Sequence, residues 1–340
     1  MGSHGSPMFG LVPESRMDPI VILLLGLMID AMVGDMRTLF RVIPHPVVLV
    51  GRLIEVLEKR LNRVERSQET RFLRGALAVI VVGLLAVLAA WGVLLVTRHI
   101  PGGWLIELFL VVTLVAQRSL YDHVSAVAKA LDEGGVPAGR VAVSHIVGRD
   151  PRALDEHGVG RAAVESLFEN FADGVVAPAF WYVIAGLPGL FLCKAVNTLD
   201  SMIGHRNERY AAFGAIAARL DTAMNFLPAR IAAFIIAIAA AFAPHGKPVE
   251  ALRTVLRDAR RHKSVNAGWP EAAAAGALGL ALAGPRRYDG VTVDDPWIGE
   301  GRARVNPDDI RRALFLFFLA CLIHLGLVGG LVLARQAAGL

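Results

Sequence analysis

A helical bundle that crosses a membrane several times is the fold class predicted by this sequence, and three observations lead to it. Hydrophobic residues make up 55% of the 340 residues and charged residues only 19%, which is low for a soluble domain. Residues 75–97 carry no charge and are long enough to cross a hydrocarbon core of about 30 Å as one helix. Residues 313–334 form a second such run, with His324 inside it. We therefore predict an all-α, polytopic integral membrane protein.

The other apolar segments are shorter or interrupted. Residues 19–33 and 101–116 each contain one carboxylate, residues 174–193 are uncharged but broken by proline and glycine, and residues 231–243 are short and alanine-rich. These features predict four to six membrane segments in total. Some would be broken or re-entrant, which is tolerated only where protein covers the backbone.

Outside the membrane segments, the sequence predicts one domain with polar additions. Residues 1–16 resemble an added leader. They lack the basic-then-apolar order of a signal peptide, so residues 19–33 are expected to be a retained span. Residues 17–340 are expected to form a single membrane domain. Residues 50–69 keep the apolar spacing of an amphipathic surface helix. Residues 257–301 are polar and end in Gly-, Pro- and Asp-rich sequence, which predicts turns or short strands.

The formal net charge of +5 is best interpreted through membrane topology. Nine of the basic residues lie between residues 37 and 74, so the positive-inside rule predicts a cytoplasmic loop there. Residues 75–97 and 101–116 would then cross outward and back, and residues 117–173 would return to the cytoplasm. No aromatic interleaving or soluble nucleic-acid motif accompanies the basic residues, so a nucleic-acid partner is not expected.

A stripe of polar side chains runs into the apolar segment at residue 174. Arg161, Glu165, Glu169 and Asp173 recur every four residues, which places them on one helix face. A solvated face with ion pairs would explain the spacing, but three carboxylates beside a membrane segment also favour a bound cation. Oxygen ligands of this kind suit Mg²⁺ rather than zinc.

A second polar block, residues 194–230, combines carboxylates with cations. Asn197, Asp200 and Ser201 repeat at helical spacing, and Asp221 and Asn225 form a further pair four residues apart. Carboxylates that hold Mg²⁺, with Lys and Arg nearby, are typical of a phosphoryl-transfer site; a structural polar network is the alternative. Both blocks can serve one site only if they lie on the same membrane face. We therefore predict that residues 174–193 are broken or re-entrant, or else that the partners of the stripe lie elsewhere in the chain.

Weaker signals lie toward the C-terminal end. Asp258 and His262 are also four residues apart, and Asn266 and Glu271 follow. A single His–Asp pair is more often structural than catalytic. The phosphate loop, the dinucleotide-binding glycine fingerprint, the serine-hydrolase elbow and the zinc-protease helix motif are all missing from the sequence.

Several of these blocks, in order, resemble one enzyme family. They are HPVVLVG (45–51), VGRD (147–150), ESLFENFADGVVAP (165–178), KAVNTLDSMIGHRNERYAAFG (194–214), ARLDTAMNFLPAR (218–230) and DARRHKSVNAGWPEAAAAGALG (258–279). The chain resembles the CbiB/CobD family, the adenosylcobinamide-phosphate synthases of cobalamin biosynthesis, over nearly all of its length after Met17. It departs from the family pattern at Met36, His205, Arg206 and Val265, and none of these changes removes a carboxylate.

The resemblance implies a polytopic membrane ligase. It would join adenosylcobyric acid to (R)-1-amino-2-propanol or its O-phosphate in an amide bond, with ATP and Mg²⁺, through an acyl phosphate. We expect it in the cytoplasmic membrane with its active site on the cytoplasmic face. The partners would be these small molecules, the lipid bilayer and other cobalamin-assembly enzymes.

Roles for individual residues are hypotheses built on this chemistry. Catalytic roles fall to Asp200 and Lys194, with Asp258 or His262 as the base that deprotonates the amine. Metal binding is assigned to Glu165, Glu169, Asp173, Asp200 and Asp221. Substrate or nucleotide binding is assigned to His45, Arg149, Asn197, Ser201, Arg206, Asn207, Glu208, Arg209, Asn225, Arg230 and Asn266.

Three other functions remain as alternatives, of which a non-catalytic membrane regulator leaves the carboxylate clusters unexplained. A membrane prenyl- or phosphoalcohol transferase would use an Asp-rich Mg²⁺–diphosphate site, but the further spaced aspartates it needs are missing. A transporter would account for the intramembrane carboxylates and the broken segment, but no inverted repeat is evident.

Overall fold

The computed structural model describes residues 17–34, 40, 44–148, 151–288 and 291–339. Helices dominate these ranges. In chain order they are α1 Pro19–Val33, α2 Pro46–Leu61, α3 Gln68–Thr97, α4 Trp104–Leu114, α5 Gln117–Val143, α6 Glu156–Phe171, α7 Ala177–Ile203, α8 Ala215–Met224, α9 Phe226–Ala240, α10 Pro248–Asp258, α11 Gly268–Leu278 and α12 Pro307–Ala337. The all-α prediction is therefore confirmed.

Four helical stretches in the described ranges are long and apolar enough to cross a membrane. They are Gln68–Thr97, Trp104–Val143, Glu156–Ile203 and Pro307–Ala337, and the pair α8 and α9, which meet at 44°, would add a fifth. Large apolar side chains on α3, including Leu77, Ile80 and Leu84, are exposed, as expected of a helix surrounded by lipid. Four or five candidate spans in the described ranges support a multi-pass membrane protein and agree with the predicted four to six segments.

Helix α7 turns back on itself, which confirms the predicted break in residues 174–193. Ala185 and Gly186 leave helical geometry, and Gly186 adopts φ 62° and ψ −151°, a conformation open almost only to glycine. Gly189 then packs so closely against the Trp181 carbonyl that a Cβ atom there would overlap it. Residues eight apart in a straight helix would be roughly 12 Å apart, so the chain reverses direction. We call residues 177–203 the re-entrant hairpin.

A second reversal has the same sequence signature. In α5, Gly135 adopts φ 62° and ψ −159° two residues before Pro137, as Gly186 does two residues before Pro188. The proline cannot donate an N–H to the preceding turn, and the glycine supplies the positive φ that L side chains avoid. Both reversals therefore follow from a Gly-x-Pro sequence inside an otherwise helical run.

The region after α9 forms a compact layer against the membrane helices. Helix α11 is almost wholly buried, between α9, α10 and α6. The short strands β1 Leu282–Ala283 and β4 Trp297–Ile298 pair antiparallel, as do β2 Arg286–Tyr288 and β3 Val291–Val293, so the predicted turns and short strands are confirmed.

The amphipathic helix predicted for residues 50–69 has different bounds. Helix α2 begins at Pro46, after the His45 cap, and ends at Leu61. Asn62 ends the helix because its side chain bonds to Glu58, Arg71 and the Arg209 carbonyl. These tertiary contacts are invisible to helical periodicity, which is why the sequence-based range runs too far.

Candidate active site

A cavity of about 430 Å³ lies where several of the polar blocks meet. Its walls come from the start of α5, the segment before residue 149, the end of α6 and the returning limb of the re-entrant hairpin. The lining residues are Ala116, Ser119, Leu120, His123, His145, Ile146, Val147, Gly148, Asn170, Gly174, Lys194 and Asn197. The volume is in the range typical of small-ligand pockets.

The re-entrant hairpin accounts for this meeting of distant residues. Asn170 and Gly174 precede the reversal, whereas Lys194 and Asn197 follow it, and all four line the same cavity. The chain passes through a π-helical turn, Ala172–Val176, just before the hairpin; such turns are frequent at functional sites. Residues of both polar blocks therefore line the same cavity, as the hypothesis of a single site requires.

Four carboxylates gather beside the cavity. Asp173 interacts electrostatically with Glu169, Asp200, Asp221 and Lys194. We call Glu169, Asp173, Asp200 and Asp221 the acidic group. The amide of Asn225 donates to Asp221 Oδ1 at 3.0 Å, and Asn197 also bonds to the Asp221 carboxylate. Carboxylates this close repel one another when ionised, and among the described residues the cation that acts on Asp173 is Lys194, so a bound cation would stabilise the ionised acidic group.

The geometry limits how such a cation would be held. Within the described ranges, no three His, Cys, Asp or Glu side chains lie close enough to bind a metal ion by themselves. Mg²⁺ usually takes only one or two carboxylates and completes its shell with phosphate oxygens and water. The acidic group therefore fits Mg²⁺ as the partner of a bound phosphate.

Among the residues that the structure describes, Lys194 is the cation that interacts electrostatically with Asp173. No hydrogen bond or ion pair joins its ammonium to another residue of the described chain. The ammonium thus faces the cavity and can bind an anion there.

Arg161 and Glu165, the first two residues of the polar stripe at residues 161–173, bond to the strand region. Glu165 Oε1 accepts a hydrogen bond of 2.8 Å from the Ala283 N–H, and Arg161 donates to the Ala303 carbonyl at 2.7 Å. Both hold the strand region against α6. Glu165 is not among the electrostatic partners of Asp173, so its predicted metal role has no geometric support here.

The loop after the re-entrant hairpin is fastened to α2 and α3. Arg209 forms a bidentate pair with Glu58 at 2.9 and 3.0 Å, and the Arg71 guanidinium bonds to the Glu208 and Arg209 carbonyls. Glu58 and Arg71 are both buried. Arg209, predicted to bind substrate or nucleotide, is paired with Glu58 and does not line the cavity. Arg206 and Glu208 are exposed on the same loop.

Arg230 and Asn266, both predicted to bind substrate, contact each other. Arg230 donates to Asn266 Oδ1 at 2.9 Å and stacks 3.6 Å over the Phe226 ring and 4.4 Å over the Trp269 ring. Asn266 donates in turn to the Thr222 carbonyl at 2.9 Å. The structure thus joins two distant sequence blocks, although neither residue lines the cavity.

Asp258 is poorly suited to the predicted role of a base. Its buried carboxylate receives bonds of 2.9 and 2.7 Å from Arg257 and of 2.9 Å from the Gly299 N–H. Burial disfavours ionisation, but the Arg257 and Gly299 hydrogen bonds, with the charge of Arg261, hold the pKa of the Asp258 carboxyl below its usual range. The geometry therefore makes Asp258 an anchor for the strand region.

His262 does not pair with Asp258. The α-helix ends at Asp258 and a 3₁₀ turn, Ala259–Arg261, follows. A spacing of four residues therefore no longer places the two side chains on one helix face. His262 Nε2 instead lies 3.6 Å from Glu271 Oε2, and its Nδ1 accepts a bond of 3.0 Å from the Ser264 N–H. Neither predicted base lines the cavity.

The other predicted site residues that the structure describes do not line the cavity. His45 Nδ1 caps α2, and His45 Nε2 lies 3.3 Å from the Thr113 carbonyl oxygen. Ser201 donates to the Asn197 carbonyl and Asn207 caps a turn at Tyr210. Arg149 lies outside the described residues, next to the cavity residue Gly148.

Sequence reasoning missed His123 and His145, which both line the cavity. Ser119 and His123 are four residues apart in QRSLYDHVSAV, so a polar face was detectable. Nothing in the sequence indicated that this face meets Lys194.

Known proteins provide an independent comparison. The family model described as CobD/Cbib protein matches residues 23–317. A protein of Brucella suis biovar 1 named "Cobalamin biosynthesis protein CobD" is 47% identical over 329 residues, covering 94% of this chain and 98% of that protein. Proteins of the same name from a Sinorhizobium species and from Rhodobacter capsulatus are 48% and 47% identical, covering 91% and 89% of this chain and 97% and 94% of their own lengths. No solved structure matches the chain. The extent and identity of these matches show that this chain belongs to the CobD/CbiB protein family.

Proposed function

We propose that this membrane protein acts in cobalamin biosynthesis as an ATP-dependent ligase. It would join adenosylcobyric acid to (R)-1-amino-2-propanol or its O-phosphate, giving adenosylcobinamide or its phosphate. The observation that carries the proposal is the position of Lys194 and Asn197 beside Asn170 and Gly174 in one cavity, with the acidic group next to it.

The chemistry of the reaction explains the need for this arrangement. A carboxylate is a poor acyl donor, and phosphorylation by ATP turns its oxygen into a leaving group. Charge on the transferring phosphoryl group must be offset by cations. Lys194 supplies one positive charge in the cavity. Mg²⁺, when bound, supplies further positive charge to the phosphate oxygens.

Individual residues would divide the work as follows. One or two of the carboxylates of Asp173, Asp200 and Asp221 would hold Mg²⁺ together with phosphate oxygens and water. Asn197 and Asn225 would keep the Asp221 carboxylate oriented. The Lys194 ammonium would bind the phosphoryl group directly. Asn170 is held by Ser166, to whose carbonyl it donates at 2.8 Å, and would fix the neighbouring cavity wall.

The cavity size indicates how the two substrates are arranged. A volume of about 430 Å³ suits the small amine and a phosphate group. A corrin macrocycle is much larger, so only its carboxylate arm would enter. The macrocycle itself would remain at the cavity mouth, near Gly148.

The direct test is a ligation assay. Purified protein in nanodiscs is mixed with adenosylcobyric acid, MgATP and either form of the amine, and the products are identified by mass spectrometry. We expect an amide product that disappears when ATP or Mg²⁺ is omitted. Folded, monodisperse protein that makes no product with either amine would contradict the proposal, and product from a prenyl diphosphate would favour the transferase.

A further inference from the structure

Any ligation in this cavity needs a group that accepts a proton from the amine. An alkylammonium ion has no lone pair and must lose a proton before its nitrogen can attack a carbonyl carbon. Asp258 and His262 do not line the cavity, and Asp258 is already bonded to Arg257 and Gly299. The base must therefore come from the cavity wall.

His123 has the geometry of a base that is held in one tautomer. Its Nδ1 lies 2.7 Å from the Ser119 carbonyl oxygen. A carbonyl oxygen only accepts hydrogen bonds, so Nδ1 must carry the hydrogen, and the neutral ring then has its lone pair on Nε2. No described residue hydrogen-bonds to Nε2. Since no residue of the described ranges occupies this lone pair, a ligand in the cavity can bind it.

The alternatives in the same cavity are less suitable. His145 is exposed, and its ring makes no hydrogen bond to the described residues that would select a tautomer. The Lys194 ammonium is the cation of the site, and its positive charge is needed to hold phosphate.

We propose that His123 is the catalytic base for the amine, an inference that rests on the proposed ligase function. Nε2 takes one proton from the substrate ammonium, and the freed nitrogen attacks the acyl-phosphate carbonyl carbon. A C–N bond forms, and the bond from that carbon to the bridging oxygen breaks. The phosphate leaves with the electron pair and takes the second nitrogen-bound proton as HPO₄²⁻. His123 then returns its proton to solvent.

The reaction has two steps, formation of the acyl phosphate and attack of the amine on it. Only the second step needs a base, so the two steps can be tested separately. Hydroxylamine is largely unprotonated at neutral pH, so it converts acyl phosphates into hydroxamates without the help of a catalytic base. With adenosylcobyric acid, MgATP and hydroxylamine, His123→Ala should form hydroxamate at close to the wild-type rate. With the amine, His123→Ala and His123→Gln should lose ~10²- to 10⁴-fold in amide formation. This loss should shrink as the pH rises and free amine becomes abundant.

Controls distinguish the possible failures. His99→Ala, an exposed histidine in the turn after α3, should match the wild type in both assays. Three results would contradict the role of His123 and leave the ligase function standing. They are equal losses in both assays for His123→Ala, unchanged amide formation in that variant, and a selective loss of amide formation in His145→Ala instead. Wild-type protein that forms neither product would overturn the ligase function and, with it, this role.

Discussion

Glu165 and Asp173, eight positions apart in one polar stripe, have two separate roles in this protein. Glu165 bonds to the strand region at Ala283, whereas Asp173 belongs to the acidic group. Two helical turns, roughly 12 Å, separate them, which is more than one ion can bridge. Shared periodicity therefore places side chains on one face but does not assign them to one site.

Lys194, the lysine that lines the cavity, provides a sharp prediction. Lys194→Gln should lower kcat/KM for ligation by ~10²–10³-fold, the usual effect of removing a group that stabilises transition-state charge. Steady-state kinetics measure the loss, and thermal unfolding checks that the variant is folded. The matched control is Lys129→Gln, which removes an exposed lysine paired with Glu133. Wild-type kinetics in Lys194→Gln would rule out its role with phosphate.

Asp258 should make the free energy of unfolding fall as the pH becomes acidic. Its folded-state pKa is lowered, so its contribution is present above the unfolded pKa of about 4 and is lost as the pH falls through the folded pKa. Asp258→Asn should destabilise the protein by about 2 kcal/mol at neutral pH, the scale of hydrogen bonds to a charged group. The midpoint of thermal unfolding of Asp258→Asn should then change less than that of the wild type between about pH 5 and pH 3, the range around the carboxyl pKa. Parallel pH curves for the two proteins would contradict this interpretation.

At the scale of elements, the reversal in α7 decides whether the site exists. Gly186→Ala places a side chain in a conformation that costs about 1–3 kcal/mol. We expect a lower melting temperature and weaker activity, because Lys194 and Asn197 would shift relative to Asn170. Gly92→Ala is the control, since a Cβ there meets no atom within 4 Å and alanine favours the helix. Equal melting temperatures for the two variants would contradict the strained turn.

The loop that follows the hairpin tests a link between elements. Arg209→Ala removes the bidentate pair with Glu58, so the loop should become more susceptible to limited proteolysis. Arg206→Ala, on the same loop but exposed, should leave proteolysis unchanged. If Arg206→Ala rather than Arg209→Ala loosens the loop, the contact with α2 is not what holds it.

At the scale of the whole molecule, the hairpin determines the membrane side of the polar blocks. We expect a membrane-impermeant maleimide applied to intact cells to label Ile100→Cys, in the turn between α3 and α4, and not Arg206→Cys. Inverted vesicles should show the opposite pattern. Cys193 is buried, and Cys321→Ser would remove the other natural thiol. Labelling of Arg206→Cys from outside would place the site on the opposite face.

Whole-molecule features were predictable to different degrees. The spans, the break in residues 174–193 and the short strands are all evident in composition and in proline and glycine positions. Helix α2 ends earlier than predicted because Asn62 bonds to Arg71 and the Arg209 carbonyl. The base was assigned to Asp258 or His262, but these residues pair with Arg257 and Glu271, whereas the cavity holds His123.

The sequence by itself determined the membrane class, the family and the requirement for a reversal in residues 174–193. Those features follow from local hydropathy, ordered motifs and backbone rules that act within a few residues. Only the tertiary structure decided which polar groups share the cavity and which hold elements together. Lys194 meets Asn170 because a glycine turn folds the chain back, and Arg209 meets Glu58 across 151 positions. Such contacts depend on how helices pack, and helical periodicity does not record them.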